Sequence, residues 1–397
     1  MSSKTLSGED GSQDWPWKVG VLPFIYAPLD SPTNGNDLPD ALPFALDVNR
    51  RVGTLVQVPD EMVSNALSNA YLKGSIMSGM MDEDGIGREY AQDFLSFLAH
   101  SIKKDRFDGM SVLEIGCGTG YLLYRLKLLG ADVLGVEPGD HGQEGSRRFQ
   151  IPVIRDFFPS RLIEGRYDVI IMYGVLEHLG FPREFLQLLP EHLSDNGRIV
   201  LSVPNCQPFI ELGDISMLTH QHWNYYTQDT LRNSVRLAIG SDLDVQSSEF
   251  GGSLYGITTK HAVKGQIDIE QEAQRALRYK HLGTRGIAKL LRYLARARSR
   301  CESVGIYVPG RAINALSIIK ERIDVSNLRF FDDNNALRGK YFPGFDIPIE
   351  GREGLISRPT DRVLIMSHTF GTSVANGIRS TLGNSLTITM WRDLLTI

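Results

Sequence analysis

Cysteine is scarce in this chain of 397 residues, and the three present, Cys117, Cys206 and Cys301, stand far apart. No pair has the close spacing of a zinc knuckle, and the number is odd, so neither a cysteine metal site nor a disulfide framework is expected. Long apolar runs are also missing. No stretch offers eighteen uninterrupted apolar residues, which excludes a predicted membrane span. Positive charge is in deficit: 42 Lys and Arg face 47 Asp and Glu, a net charge of −5, which argues against general nucleic-acid binding. The opening residues M-S-S-K-T-L-S-G-E-D-G-S-Q-D lack the apolar core of a secretion signal, so a cytoplasmic location is the expectation.

Against these absences, an apolar content of 42% supports real cores, and the length suits two or three domains. Residues 1–40 are rich in Ser, Asp, Gly, Pro and Asn and read as a loose arm. Residues 41–105 read as a mostly helical region. From 106 to 262, short apolar runs alternate with helical patterns. Ile267 to Arg300 is a basic helical stretch, taken with 263–302 as a connector. From 303 to 397 strands and helices alternate again. Alternation of this kind implies parallel sheets, so the expected fold class is α/β, a Rossmann-like domain followed by a second, smaller Rossmann-like domain.

The densest information lies between Ser111 and Pro138. Ser111–Ile115 is an apolar strand run. It enters three glycines spaced two apart, Gly116, Gly118 and Gly120, and Tyr121 to Leu129 then carries leucines at helical spacing. Glycine admits positive φ and close approach of a ligand to backbone. A second strand run, V-L-G-V-E-P, ends in Glu137 and Pro138. An acid at that distance from a glycine turn can hold both hydroxyls of a ribose. Dinucleotide folds use G-x-G-x-x-G to cradle a pyrophosphate. Here Glu114 precedes the glycines in E-x-G-x-G-x-G. A carboxylate there would repel a pyrophosphate but accommodate a sulfonium and an ammonium. The pattern resembles the glycine motif of class I methyltransferases, which implies S-adenosylmethionine as cofactor.

The following runs agree with that resemblance. Asp156 follows the short strand Ile151 to Ile154, either as an adenine contact or as a turn cap. Tyr167 to Tyr173 suits a strand buried on both faces, and it delivers Tyr173, Gly174 and the segment G-V-L-E-H-L to a sheet's carboxyl end, where such folds bind ligands. The segment resembles the V-L-E-H element of class I methyltransferases. His178 is then either near the methionine part of the cofactor or simply a packed histidine. Asn196-Gly197 reads as the turn before a strand from Arg198 to Val203, and Asp244 to Glu249 with Ser253 to Thr259 reads as an antiparallel pair.

Three further segments resemble the sugar C-methyltransferase family, whose members methylate nucleotide-linked deoxy-4-keto sugars. They are Y-V-P-G-R-A-I-N (Tyr307 to Asn314) with F-D-D-N-N-A-L-R-G-K-Y-F-P-G-F-D-I-P-I (Phe331 to Ile349), F-G-G-S-L-Y (Phe250 to Tyr255) and H-Q-H-W-N-Y-Y-T (His220 to Thr227). The family has an N-terminal zinc domain, but no cysteine precedes Cys117, so no metal is expected. The family's tyrosine and glutamate in Y-H-E-H become Thr219 and Gln221, and the residues flanking its G-G-S-L become Phe250 and Tyr255. The resemblance implies His222 as first candidate for a catalytic base and His220 as second, with Gln221 and Tyr225 beside them; both histidines can equally be structural, and Tyr225 and Tyr226 either shape the acceptor pocket or fill the core. Tyr71, Ser75 and Ser78 match a family segment that covers the cofactor. Arg311 and Lys340 either meet acceptor phosphates or are solvated. The acceptor implied is a sugar or related metabolite; O- or N-methylation of a natural product, or a non-enzymatic module, are the alternatives. Oligomeric state is not legible.

Overall fold

The computed structural model describes residues 15–33, 38–72, 81–259, 269–367, 371–383 and 386–396. In chain order the elements are β1 (Trp17–Pro23), β2 (Ala41–Asn49), β3 (Thr54–Gln57), α1 (Glu61–Leu72), α2 (Gly85–Ile102), β4 (Ser111–Ile115), α3 (Tyr121–Leu128), β5 (Asp132–Val136), α4 (Asp140–Phe149), β6 (Val153–Ile154), β7 (Tyr167–Tyr173), α5 (Pro182–Leu188), β8 (Leu193–Pro204), α6 (Gln207–Leu212), β9 (Asn224–Tyr225), α7 (Gln228–Ile239), β10 (Asp242–Ser247), β11 (Ser253–Thr259), α8 (Ile269–Ser299), β12 (Val304–Tyr307), α9 (Ile313–Lys320), β13 (Leu328–Phe331), β14 (Ile349–Glu350), α10 (Arg352–Ser357), β15 (Arg362–Ile365), α11 (Gly371–Leu382), β16 (Thr387–Met390) and α12 (Trp391–Thr396).

Among the described residues these strands form three sheets. The central one has seven strands in the order β10-β11-β8-β7-β4-β5-β6. Its β6, β5, β4, β7 and β8 run parallel, while β11 and β10 are antiparallel. Val112, Leu113, Val169, Ile170, Ile171, Ile199 and Val200 are fully buried, as expected where helices cover both faces. The second parallel sheet has the order β14-β13-β12-β15-β16. Both α/β units expected from the sequence are therefore present.

The amino-terminal region differs from its reading. Residues 17–23 are not a loose arm, and residues 41–57 are not helical. β1, β2 and β3 form an antiparallel sheet that β9 completes, with Leu55 opposite Tyr225 and Val56 opposite Asn224. The cause is a period-2 pattern hidden inside a polar composition: Leu42, Phe44 and Leu46 on β2 are buried, as are Trp17, Val19 and, past a register shift between Lys18 and Gly20, Leu22 on β1. Residues 1–14 and 34–37 lie outside the described residues.

Helix α8 is more than a connector. Ala276, Tyr279, Ile287, Leu290, Leu294 and Ala297 join one apolar cluster with Trp17 and Phe44 of the first sheet, Met217 and Tyr225 of the central domain, and Ile306, Leu316 and Trp391 of the last. The basic residues dominate its composition, but its apolar stripe holds three units on one core. Trp17 meets Tyr279 edge-on at 5.5 Å. Gly283 permits this packing, since a Cβ there would stand 2.6 Å from the Trp17 ring.

Asn196-Gly197 likewise fails to end an element. It lies within β8, where the register to β7 shifts between Tyr167 and Val169. The extra residues are absorbed as a bulge, and Ser194 Oγ donates to Asp168 Oδ1 at 2.8 Å across it.

Candidate active site

The carboxyl edge of the central sheet gathers the predicted cofactor residues. Gly116, Gly118 and Gly120 all have positive φ, 69°, 53° and 72°, a region that disfavours every residue with a Cβ. A Cβ on Gly116 would lie 2.7 Å from Val175 Cγ2. Two backbone N–H groups, of Gly118 and Gly139, donate to the Glu137 carboxylate at 3.0 and 2.9 Å. Glu137 thus ties the glycine turn to the loop opening α4. Its two oxygens offer about four lone-pair directions, so two remain for a diol. Pro138 lies between these anchors. The Thr119 hydroxyl donates to the Met81 carbonyl at 2.9 Å, which brings the segment before α2 onto the turn.

Glu114 lies beneath. It is 3% exposed, and its Oε2 is buried with no hydrogen-bond partner among the described residues. Burial, reinforced by the neighbouring Glu137 charge, holds its carboxyl well above the usual range. A buried carboxylate without a partner is costly, and a cation in the adjoining space would relieve that cost.

The other predicted positions are arranged around this turn. Asp156 accepts from the N–H of Phe157 at 2.8 Å. Tyr173 ends β7, edge-on to Phe94 at 5.3 Å, and its hydroxyl is pushed up to about 12 by burial. Gly174 has φ 66° and donates to Ser202 O at 2.9 Å. Tyr71 sits in the last turn of α1, with its side chain outside the described residues, as are Ser75 and Ser78.

The proposed base candidates separate. His220 is fully buried between Phe24 and Phe44, at 6.0 and 5.3 Å, with Nε2 3.3 Å from Leu22 O. Burial pushes it down to about 4. It anchors the first sheet and is drawn away from His222. The Tyr225 hydroxyl donates to Thr219 O and accepts from Thr219 N, at 3.0 and 3.1 Å, so it closes its own loop. Gln221 contributes its carbonyl, 2.9 Å from His178 Nδ1. His222 is the member that meets His178: their rings stand 4.8 Å apart, at 80°. Burial, followed by the charges of His178 and Arg311, holds His222 well below its usual range.

Glu177 is the residue that sequence reading passed over. It is 3% exposed, in the turn Leu176–His178 after β7, with its Oε1 3.8 Å from His178 Nε2. Burial pushes its carboxyl up to about 8 and His178 down to about 4. Its signal was an acid beside Leu176 in the turn that follows a nearly continuous apolar strand. Glu177, His178 and His222 offer one ligand atom each within 4.8 Å of one another.

Arg311 arrives from the other α/β unit. Its turn, Gly310–Ala312, packs on the turn Ile215–Met217, and Asn314 Nδ2 donates to Leu218 O at 2.6 Å. The Arg311 charge is felt by His222, Cys206 and Tyr225. Lys340 instead pairs with Asp30 at 3.4 Å on the surface.

With this geometry in place, residues 84–238 match the family model described as a methyltransferase domain. The chain carries a class I S-adenosylmethionine-dependent methyltransferase domain. It is 29% identical over 127 residues to the mitochondrial ubiquinone biosynthesis O-methyltransferase of Schizosaccharomyces pombe, covering 30% of this chain and 46% of that one. It is 33% identical over 108 residues to the tRNA U34 carboxymethyltransferase of Idiomarina loihiensis, covering 24% and 33%. The chain thus spans less than half the length of these curated relatives. A crystal structure of magnesium protoporphyrin IX methyltransferase from Synechocystis PCC 6803 with bound SAH aligns with 16% identity and a TM-score of 0.36, over 46% of this chain and 90% of that chain. No helix among the described residues is long and apolar enough to cross a membrane.

Proposed function

We propose that this protein transfers a methyl group from S-adenosylmethionine to a small-molecule acceptor, a nucleotide-linked sugar or related metabolite. The observation that carries the donor half is the pair of buried carboxylates framing the glycine turn, Glu137 on two backbone N–H groups and Glu114 with an oxygen unpartnered. The residues present fit the cofactor. Glu137 would hold the ribose hydroxyls, Gly116, Gly118 and Gly120 would lie against the methionine portion above Glu114, and Tyr173, Gly174 and His178 would flank the sulfur. Pro138 and Asp156 would border the adenine. The bound sulfonium supplies an already activated methyl and a neutral leaving group. The protein's own work is to orient the acceptor and exclude water.

The acceptor would enter beside His178 and His222. Arg311, from the C-terminal unit, supplies a positive charge on that side and has no hydrogen-bond or ion-pair partner for its side chain among the described residues. This favours an acceptor bearing an acidic group. A second reading, O- or N-methylation of a natural product, draws on the same loop. Gln221 replaces an acid, and the Tyr225 hydroxyl is engaged by Thr219.

The test is calorimetry with S-adenosylhomocysteine, then incubation of labelled S-adenosylmethionine with a panel of nucleotide sugars, with products located by NMR. Methyl on a sugar carbon supports the first reading, and methyl on oxygen or nitrogen the second. Absence of any heat with S-adenosylhomocysteine on folded protein overturns both.

A further inference from the structure

We propose that Glu177, His178 and His222 form a mononuclear site for a divalent transition metal, zinc foremost, where the turn after β7 meets the loop before β9. The argument starts from an unsatisfied group. Glu177 is 3% exposed and its Oε2 is buried without a hydrogen-bond partner among the described residues. Leaving a buried carboxyl oxygen without a partner is costly, and a bound cation would relieve that cost. Its Oε1 is already 3.8 Å from His178 Nε2, and the His222 ring crosses the His178 ring at 4.8 Å.

The surroundings orient the ligands. His178 Nδ1 lies 2.9 Å from the Gln221 carbonyl, and a carbonyl only accepts. Nδ1 therefore carries the hydrogen, and the lone pair is on Nε2, facing Glu177. Metal-ligating histidines are commonly fixed by such a carbonyl on the far nitrogen. The two segments are pinned together as well. Trp223 N donates to Glu177 O at 2.7 Å, and Asn224 Nδ2 to Leu179 O at 2.7 Å.

The donor set selects the ion. Two imidazoles and one carboxylate suit zinc, manganese or iron better than magnesium or calcium. The ligand atoms now lie within 4.8 Å of one another; tetrahedral zinc sets them roughly 3.4 Å apart, a contraction that side-chain rotation can supply. Three protein ligands leave a position open, and the half-buried histidines face the acceptor side. Arg311 opposes added positive charge here, and the Glu177 carboxylate offsets it.

The chemical use rests on the methyltransferase reading. An acceptor hydroxyl bound at the open position gives its proton to water, and its oxygen stays on the metal as an alkoxide. That oxygen's electron pair forms the new C–O bond while the methyl–sulfur bond breaks, its pair remaining on sulfur. The metal thereby does what the acid missing at Gln221 would have done.

The full chain, stripped with EDTA, is titrated with zinc chloride by calorimetry, with magnesium chloride as a parallel arm. Zinc is expected to bind in a single equivalent, and magnesium far more weakly. Glu177→Gln and His222→Asn are each expected to lower zinc affinity about 100-fold while S-adenosylhomocysteine still binds, which reports a folded domain. In the unaltered chain, cobalt chloride should give visible absorption bands that zinc abolishes, so the test does not depend on the variants folding. Absence of zinc binding and of cobalt bands, or zinc affinity unchanged in both variants, overturns the site. Loss of S-adenosylhomocysteine binding with zinc binding intact would overturn the methyltransferase reading and leave the site standing.

Discussion

At the carboxyl edge of β4 the backbone turns through Gly116, Gly118 and Gly120, whereas at the carboxyl edge of β12 it turns through Val308, Pro309 and Gly310, with φ of 48° at Val308 and 46° at Gly310. Each turn leads into a helix and then a strand ending in an acid, Glu137 after β5 and Asp332 after β13. The acids differ in employment. Glu137 reaches back to the glycine turn's own N–H. Asp332 serves its local loop, accepting from Asn334 N at 2.8 Å, and the neighbouring Asp333 is held by Arg352 and by the Tyr307 hydroxyl at 2.5 Å. One topology therefore yields an edge held open around glycines and another closed by its own ion pair. The fold sets where a ligand can bind; the turn residues decide whether there is room.

Substitution in matched pairs probes that difference. The largest contrast is expected between Gly116→Ala and Gly310→Ala. At Gly116 the added methyl meets Val175 at 2.7 Å with φ at 69°, so strain and overpacking together should cost about 2–4 kcal/mol, and S-adenosylhomocysteine affinity should fall at least about tenfold with it. At Gly310 nothing lies within 4 Å, leaving only the left-handed strain of about 1–2 kcal/mol and unchanged cofactor affinity. Urea unfolding and calorimetry measure both. Equal affinity losses would mean that the two edges are not distinguished as described. The next contrast is Glu137→Gln against Asp332→Asn. The amide keeps one acceptor atom but loses the charge and half the acceptor capacity, so affinity for S-adenosylhomocysteine should drop about 10–100-fold, or about 1.4–2.7 kcal/mol. Asp332→Asn should leave it within about twofold, and a comparable loss there would place cofactor at the wrong sheet.

Much of this contrast was legible in the sequence, for reasons that can be localised. The strand Ser111–Ile115, the glycines at 116–120 and the acid at 137 are close in sequence and strongly patterned, so period and turn chemistry fixed them. Tyr167–Tyr173 announced itself by a nearly continuous apolar run, interrupted only at Asp168. The first sheet was not legible, because β1 and β2 alternate inside segments whose composition is polar, and β9, which pairs with β3, lies about 170 residues on, Leu55 facing Tyr225. The fate of His220 turned on that same distance: nothing near it in sequence says that Phe24 and Phe44 will enclose it. Glu177 and His222 meet only through tertiary packing, so no local spacing could pair them. The apolar stripe of α8 was readable in principle, but its arginines and lysines suggested solvent on every face.

The smallest contrast concerns what closes the second edge. The Arg352–Asp333 pair bridges the end of β13 to the start of α10, with side chains 32% and 43% exposed. Solvent screens it, so Arg352→Met should lower stability by about 0.5–1 kcal/mol, a melting shift of about 2 °C in a chain of this size, and the shift should shrink as salt is raised. The Tyr307 hydroxyl, now shared with Asp333 and 3.3 Å from Arg352 Nε, keeps its carboxylate partner in the variant. The edge should therefore stay closed to S-adenosylhomocysteine, with the calorimetric stoichiometry unchanged. A second equivalent of that ligand in Arg352→Met would mean that the ion pair alone, rather than the valine–proline turn, separates the two edges.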